Sequence, residues 1–138
     1  MNFQIQEISV PSKGFGDIID LSTYVEAFSK EWEGKDGQLL VFVPGSTAAV
    51  TTIEFEAGAV EDLRTSIERL LPRTIQYNHD RRWGDGNGFS HVQAAWFGPS
   101  LLIPVSEGKP VLGTWQQIVL LDFDNRPRKR KVILQFSS

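Results

Sequence analysis

The sequence predicts a single α+β domain in which a largely antiparallel, β-sandwich-like sheet is combined with two to three helices. The chain has 138 residues, of which 41% are hydrophobic, and this is enough to build one compact core. Strand-like runs recur along the chain, and two segments with helical periodicity interrupt them. No internal repeat, low-complexity tract or linker divides the chain, so we treat residues 1–138 as one domain.

The N-terminal part predicts two strands followed by a helix. Apolar and polar residues alternate along residues 3–10, and a change of phase near Glu7 indicates a β-bulge. A second short strand is expected in residues 15–22. The capping-box spacing of Thr23 and Glu26 then predicts the start of a helix whose apolar face packs on a sheet.

The middle of the chain predicts two adjacent strands and a long amphipathic helix. The runs "QLLVFVP" and "STAAVTTIEFE" are rich in branched and aromatic residues, as buried strands are. Gly58 interrupts this pattern, and a helix is expected to follow it, from residue 59 to residue 72. The apolar stripe of that helix comprises Val60, Leu63, Ile67, Leu70 and Leu71.

The C-terminal part predicts a long loop, a short helix and three strands. Residues 72–88 are polar and punctuated by Pro and Gly, so we expect a functional loop or a poorly ordered one. The following segment, residues 89–98, predicts a helix that carries His91 near its start. The three strand-like runs are "SLLIPV", "TWQQIVLLDFD" and "RKVILQF".

Composition excludes several classes of protein. The chain has no cysteine, which excludes a disulfide framework and a thiolate metal site, and it shows no signal-peptide pattern. No apolar run approaches the roughly 20 residues that cross a bilayer. The formal charge of -3 argues against a general nucleic-acid binder. We therefore expect a soluble, cytoplasmic protein with no membrane or nucleic-acid partner.

Both histidines of the chain lie in one segment, "YNHDRRWGDGNGFSH". His79 and His91 are twelve residues apart, which does not match the i, i+4 spacing of a helical zinc motif. A metal site would therefore need the segment to fold back on itself. The alternative is that both histidines make ordinary hydrogen bonds in a loop.

Other side chains of this segment also have two interpretations. Asp80, Asp85 and Asn87 offer oxygen ligands for a hard cation, but Asp-Gly-Asn-Gly is also ordinary turn chemistry. Arg81 and Arg82 can clamp a phosphate with paired hydrogen bonds, or they can keep an exposed loop soluble. Their position beside two histidines favours an anion site.

Three further segments contain candidate site residues. The cluster "RPRKRK" predicts a solvated edge strand protected by positive charge, with Arg128 as the member that can turn toward a site. Glu54 lies in an otherwise apolar segment and points either outward or toward a partner. A hydroxyl, an indole and an amide follow the flexible Gly113, and they belong to Thr114, Trp115 and Gln116.

The order of several motifs resembles that of the YjbQ-like family, the so-called secondary thiamine-phosphate synthases. The matching motifs extend from about Leu40 to Phe136 and are "FVPGSTAAVTTIEFE", "EDL", "YNHD", "DGNGFSH", "GPSLLIPV", "LGTWQQI" and "RPRKRKV". The resemblance implies a homotrimeric α+β domain with a polar pocket near the subunit boundaries.

The resemblance also implies a set of site residues. The histidines of the family motifs match His79 and His91, which are candidates both for catalysis and for binding a divalent metal, Mg²⁺ or Zn²⁺. Glu54 is the third catalytic candidate. For substrate binding the resemblance adds Asn87, Thr114, Trp115 and Gln116, which join Arg81 and Arg128 from the charge pattern.

Two departures from the family pattern affect the metal site. Many relatives have a histidine where this chain has Gly45, and some relatives with glycine there have an extra histidine where this chain has Phe89. A three-histidine site within one chain is therefore excluded. His79 and His91, with Glu54, Asp85 or water, remain a weaker ligand set with less preference for zinc.

The family name implies the joining of a hydroxymethylpyrimidine pyrophosphate to a thiazole phosphate, with release of pyrophosphate. This reaction needs charge neutralisation on the leaving group and an apolar surface for the pyrimidine. Mg²⁺, Arg81 or Arg82, His79 and Trp115 are the candidates for these tasks. Two alternatives stay open: a noncatalytic trimer that binds a metabolite or metal, and a purely structural trimer in which the loop packs between subunits.

Overall fold

The computed structural model describes residues 2–138 and contains two antiparallel sheets and four α-helices within that range. The strands are β1 (Phe3–Ser12), β2 (Asp17–Asp20), β3 (Gly37–Phe42), β4 (Ala48–Ile53), β5 (Ser100–Ser106), β6 (Lys109–Pro110), β7 (Gln117–Asp122) and β8 (Arg128–Ser137). The helices are α1 (Ser22–Ser29), which continues as a 3₁₀ turn (Lys30–Trp32), α2 (Ala57–Leu70), α3 (Asn78–Trp83) and α4 (Gly88–Phe97).

The strands form a five-stranded and a three-stranded sheet. The larger sheet has the order β1-β8-β3-β5-β6, and the smaller one has the order β2-β7-β4. All neighbouring strands are antiparallel. The predicted fold class, an α+β domain dominated by antiparallel sheet, is therefore confirmed.

Two apolar layers hold the sheets and helices together. The main core lies between the two sheets and includes α1, with Phe28, Trp32 and Phe136 among its largest side chains. Trp32 stacks on Phe136 with ring centroids 4.5 Å apart. A second layer packs α2 and α4 on the other face of the three-stranded sheet, where Val119 and Phe123 are fully buried.

The predicted bulge in β1 was wrong. The pairing of β1 with β8 runs without interruption from Phe3, opposite Ser137, to Ser12, opposite Arg128. The strand keeps its alternation, but apolar residues occupy both faces: Ile8 points into the core, whereas Ile5 lies on the outer face. The change of phase in the sequence therefore marks the point where the apolar residues move from the outer face of β1 to its inner face.

Helix starts also differ from the predictions. At α1 the predicted capping box is absent, and the Asp20 carboxylate accepts hydrogen bonds from the Ser22 amide and hydroxyl instead. At α2, Glu56 is the N-cap and accepts from the amides of Gly58 and Ala59, so the helix includes Gly58. A short side chain is thus not required for a cap when a carboxylate is correctly placed.

The predicted loop at residues 72–88 contains a helix, α3, that the sequence analysis missed. Its six residues are too few for a periodic pattern, and Gly84 ends it in the left-handed conformation with φ of 69°. In the part of the chain from residue 2 onward, no helix is both long and apolar enough to cross a membrane.

The outer face of the five-stranded sheet presents a row of mainly apolar side chains, interrupted by one glutamine. The strand register aligns Ile5, Gln135, Leu40 and Leu102 across four neighbouring strands. Ile5 and Leu102 are both more than half exposed. We call this row, together with the exposed Phe3, the outer apolar face; it is unusual for a solvated sheet surface.

Candidate functional site

A polar cleft of about 710 Å³ lies where β7 ends and β8 begins. Three loops and a helix form its walls: the β3–β4 loop, the segment from α3 to α4, the start of α4, and the β7–β8 turn. The lining residues are Pro44, Gly45, Ser46, Thr47, His79, Trp83, Asp85, Asn87, His91, Asp124, Asn125, Arg126, Arg128 and Arg130. This is where the structure brings both histidines together.

His79 and His91 are in ring contact, with centroids 4.3 Å apart and an interplanar angle of 38°. The Asp80 carboxylate fixes their relative position, because its Oδ1 accepts a hydrogen bond from the Gly88 amide at 2.8 Å and so connects α3 to the start of α4. Gly88 itself lies against Tyr77 so closely that a Cβ atom there would overlap that side chain. The fold therefore requires glycine at this position.

Two buried polar side chains of α4 bind the helix to neighbouring elements. The Ser90 hydroxyl donates to the Phe123 carbonyl at 2.5 Å, and the Gln93 amide donates to the Leu71 carbonyl at 2.8 Å. Both partners are backbone oxygens at the ends of other elements. The helix that carries His91 is consequently held in place on two sides.

The Nδ1 atom of His79 is buried and makes no hydrogen bond with any of the described residues. It lies 3.3 Å from Asp85 Oδ1 and 3.7 Å from Asp80 Oδ1. One ligand atom from each of the three residues lies within 4.8 Å of the others. An imidazole nitrogen with two carboxylate oxygens suits a divalent cation such as Zn²⁺ or Mg²⁺, so these residues fit the expected metal. His91 does not belong to this group.

A buried ion pair forms the floor of the cleft. Arg130 donates from Nε to Asp122 Oδ2 at 2.9 Å and from Nη2 to Asp122 Oδ1 at 2.8 Å. The same Nη2 donates to the Thr47 hydroxyl at 2.6 Å. Thr47 in turn donates to Asp124 at 3.3 Å. All four side chains are buried, so each charged group has its partners within the protein.

Asp124 is held in its ionised form. Burial by itself would raise the pKa of this carboxyl group, but Arg128 donates to Oδ2 at 2.7 Å and the Asn125 amide donates to Oδ1 at 2.8 Å. These hydrogen bonds and the positive charge of Arg128 outweigh burial and lower the pKa of Asp124 from 3.8 to about 2. Asp124 is therefore an anion throughout the physiological range.

The Asn87 side-chain amide lies between the carboxylates of Asp85 and Asp124. Its nitrogen is 3.4 Å from Asp124 Oδ1, which is a long hydrogen bond. An end-for-end rotation of the amide instead gives bonds to both oxygens of Asp85, at 3.1 and 3.2 Å. The rotated amide is the better donor arrangement, because its nitrogen then bonds to both oxygens of Asp85.

Comparison with known proteins agrees with this architecture. The family model for UPF0047 proteins of the YjbQ-like type matches residues 6–138. A UPF0047 protein of Mycobacterium bovis is 44% identical over 86% of this chain and 90% of its own length. The chain belongs to the YjbQ-like UPF0047 family.

Solved structures of YjbQ-like proteins share the fold over nearly the whole chain. A YjbQ-like protein of unknown function from Sulfolobus solfataricus has a TM-score of 0.90 at 30% identity, covering 98% of this chain and 96% of its own. A family member from Clostridium acetobutylicum has a TM-score of 0.86 at 31% identity, covering 96% of this chain and 99% of its own. Family and fold are therefore shown, while the names of these proteins specify no activity.

The structure shows the surroundings of Gly45 and Phe89, the two positions where the resemblance implied additional histidines. Gly45 has φ of 121°, a backbone conformation that side chains rarely adopt, and a Cβ atom there would lie 3.5 Å from Arg130 Nη1. Phe89 is buried. The β3–β4 loop is thus shaped for glycine, and a histidine at position 45 would need a different local backbone.

Some of the residues expected at the site line the cleft, whereas others do not. Asn87 and Arg128 line it together with the two histidines. Arg81 is exposed outside it, where its guanidinium donates to Asn78 and Gln76.

Glu54 and the Thr114–Gln116 segment lie at the far end of the three-stranded sheet. Pairing of β4 with β7 runs from Ala48, opposite Asp122, to Ile53, opposite Gln117. At roughly 3.3 Å per residue the two ends are about 17 Å apart. At the far end, Gln116 donates to the Thr52 hydroxyl, and Trp115 is 69% exposed.

Sequence reasoning did not assign several of the cleft residues to the site, among them Trp83, Asp124, Arg126 and Arg130. The edge-strand interpretation of "RPRKRK" was wrong, because β8 lies between β1 and β3. A signal was available: Arg130 has the same alternation as Val132 and Leu134, which are fully buried. An arginine in phase with core residues needs a buried acidic partner.

We predict that replacing Arg130 destabilises the fold strongly. Arg130→Met leaves the Asp122 carboxylate buried without its partner, and the expected loss in free energy of unfolding is about 3–5 kcal/mol. Urea denaturation measures it. The matched control is Lys129→Met, an equal loss of charge at an exposed neighbouring position, with a change of no more than about 0.5 kcal/mol. Equal losses in the two variants would contradict the role of the pair. If Arg130→Met does not fold, Arg130→Lys should show an intermediate loss.

A second prediction concerns acid stability. The pKa of Asp124 is about 2 in the folded protein, which is lower than its ordinary value of 3.8. The ionised carboxylate therefore adds to the free energy of unfolding. This contribution is complete above pH 3.8 and is lost as the pH falls toward 2. Between pH 5 and pH 2 the wild type should lose about 2 kcal/mol more than Asp124→Asn. Parallel urea titrations at the two pH values test this, and an identical acid loss in both proteins would refute it.

Proposed function

We propose that the cleft binds a small phosphorylated metabolite together with a divalent cation and supports a weak thiamine-phosphate synthase activity. The observation that supports this most directly is the unpartnered His79 Nδ1 beside Asp85, within a cleft that also contains arginines. Side chains that can bind a cation therefore lie next to side chains that can bind an anion in the same cleft. That combination suits a phosphate group bridged by a metal ion.

The charges of the cleft support a metal-phosphate ligand over a bare anion. Arg130 is matched by Asp122, and Arg128 is engaged with Asp124, so neither is a surplus charge. Arg126 is exposed and has no ion pair with the described residues, so it is the arginine available to a phosphate. Asp80 and Asp85 would repel a phosphate, and a bound cation would reverse that effect.

In the proposed reaction, the thiazole nitrogen attacks the methylene carbon of the pyrimidine, a C–N bond forms and the C–O bond to pyrophosphate breaks. The electron pair leaves with pyrophosphate, and its negative charge needs stabilisation. A divalent ion held by His79, Asp80 and Asp85 would supply part of it. Arg126 would orient the leaving group, with Arg128 bound to Asp124 beside it, and the Asn87 amide would bond to a ligand edge.

A noncatalytic role in metabolite or metal binding is the second candidate. The observation that favours it is that the chain has only two histidines, with Gly45 and Phe89 where the family resemblance implies additional ones, so a three-histidine metal site cannot form within one chain. Such a protein would bind the same ligands without turnover, so the two candidates differ only in the rate of product formation.

The proposal includes a homotrimer. The outer apolar face supports assembly, because a row of exposed branched and aromatic side chains is more stable when a second copy covers it. Glu54, Thr114, Trp115 and Gln116 would join the histidine cleft only if a neighbouring subunit supplied them, since within one chain they lie at the opposite end of β7.

We predict that His79→Ala and His91→Ala each weaken binding of pyrophosphate, measured calorimetrically in the presence of Mg²⁺ or Zn²⁺, by about 10-fold or more. Arg126→Met should have an effect of similar size, because it removes a charge-assisted hydrogen bond to phosphate. Lys129→Met, which removes the same charge from an exposed position outside the cleft lining, is the control and should stay within twofold.

Turnover of the pyrimidine pyrophosphate with the thiazole phosphate is measured on the same proteins. Product formation that the two histidine variants abolish supports the synthase. Binding without product formation in the wild type supports the noncatalytic candidate instead. Unchanged binding and turnover in both histidine variants would eliminate the cleft as the functional site.

A further inference from the structure

Trp83 is a large aromatic side chain in the wall of the cleft, and it is 66% exposed. An exposed indole in a polar cleft gains free energy when a flat apolar surface covers it, which a bare phosphate does not provide. Trp115 is exposed to a similar degree, 69%, but it lies outside the cleft at the far end of β7. Within one chain, Trp83 is therefore the tryptophan that a ligand in the cleft can contact.

The backbone that carries Trp83 is fixed by hydrogen bonds of α3. Trp83 is the last residue of α3, where the Gly84 amide donates to the Asp80 carbonyl at 2.8 Å and ends the helix. The Arg82 guanidinium lies 5.4 Å from the ring centroid, a cation–π contact. Asp80 also bonds to Gly88 through its side chain. The indole therefore stays in the cleft wall, and most of its surface is open to a ligand.

Hydrogen-bonding groups in the same cleft suit the edge of a heterocycle. Asn125 donates from its side chain to the Asp85 carbonyl, which keeps that turn closed beside the Asn87 amide. The Asp85 carboxylate and the side-chain amide of Asn87 are polar groups of the cleft, and carboxylate and amide oxygens accept hydrogen bonds from the amino group of such a ring. Arg126 provides the cation for a phosphate on the same ligand.

We propose that Trp83 is the stacking platform for the planar ring of a heteroaromatic phosphate or pyrophosphate ester, and that it determines the preference for this class over inorganic or sugar phosphates. This inference rests on the proposed function, because it needs the phosphate to bind in the same cleft. It assigns to Trp83 the aromatic contact that the sequence motif suggested for Trp115.

The test compares two probes, inorganic pyrophosphate and hydroxymethylpyrimidine pyrophosphate, by calorimetry with Mg²⁺ on the full-length protein. The wild type should bind the pyrimidine ester more tightly. Trp83→Leu should weaken the pyrimidine ester by about 10-fold and leave inorganic pyrophosphate within twofold. Trp83→Phe, which keeps a ring, should retain most of the affinity. Trp96→Leu, which removes a similarly exposed indole outside the cleft lining, is the matched control and should bind both probes within twofold of the wild type. Trp115→Leu tests the alternative aromatic contact.

The outcomes separate this inference from the proposed function. If the wild type binds neither probe, both fail. If inorganic pyrophosphate binds and the pyrimidine ester binds no tighter, only the stacking role of Trp83 is refuted. Equal weakening of both probes in Trp83→Leu, or a loss for the pyrimidine ester in Trp115→Leu alone, also refutes it.

Discussion

The cleft depends on one buried ion pair, between Arg130 and Asp122. Asp122 is the last residue of β7 in the three-stranded sheet, and Arg130 lies near the start of β8 in the five-stranded sheet. Their two hydrogen bonds therefore join the sheets at the base of the cleft. Because a buried charge without its partner costs several kcal/mol, this end of the sandwich is restricted to arrangements that keep both residues together.

The same pair connects the fold to the candidate site. Arg130 also holds the Thr47 hydroxyl, which donates to Asp124, and Asp124 accepts from Arg128 at the surface of the cleft. Negative and positive side chains thus alternate from the core to the surface of the cleft, and each of these charges has a partner within the protein. His79 Nδ1 and Arg126 lie outside this closed network, and they are consequently the groups with bonding capacity left for a ligand.

The sequence predicts the sheet more accurately than the segment around the histidines, for physical reasons. Strand alternation records burial on one face, and it fails only where the opposite face is also apolar, as at Phe3 and Ile5. Helix α3 has no comparable signal. Its six residues are fixed by tertiary hydrogen bonds, such as that between Asp80 and Gly88, which leave no periodic pattern.

The residues of the candidate site also differ in how well the sequence predicts their positions. The inward direction of Arg130 was readable from its phase with the core residues of β8, whereas the approach of His79 to Asp85 depends on turns at Gly84 and Gly86, both with positive φ. The strand register determines the positions of the other predicted site residues. It fixes Glu54 and Gln116 about five residues along β4 and β7 from the histidine cleft, a separation of roughly 17 Å that side-chain rotation does not span. Any site that combines both sets of residues must therefore be built from two chains.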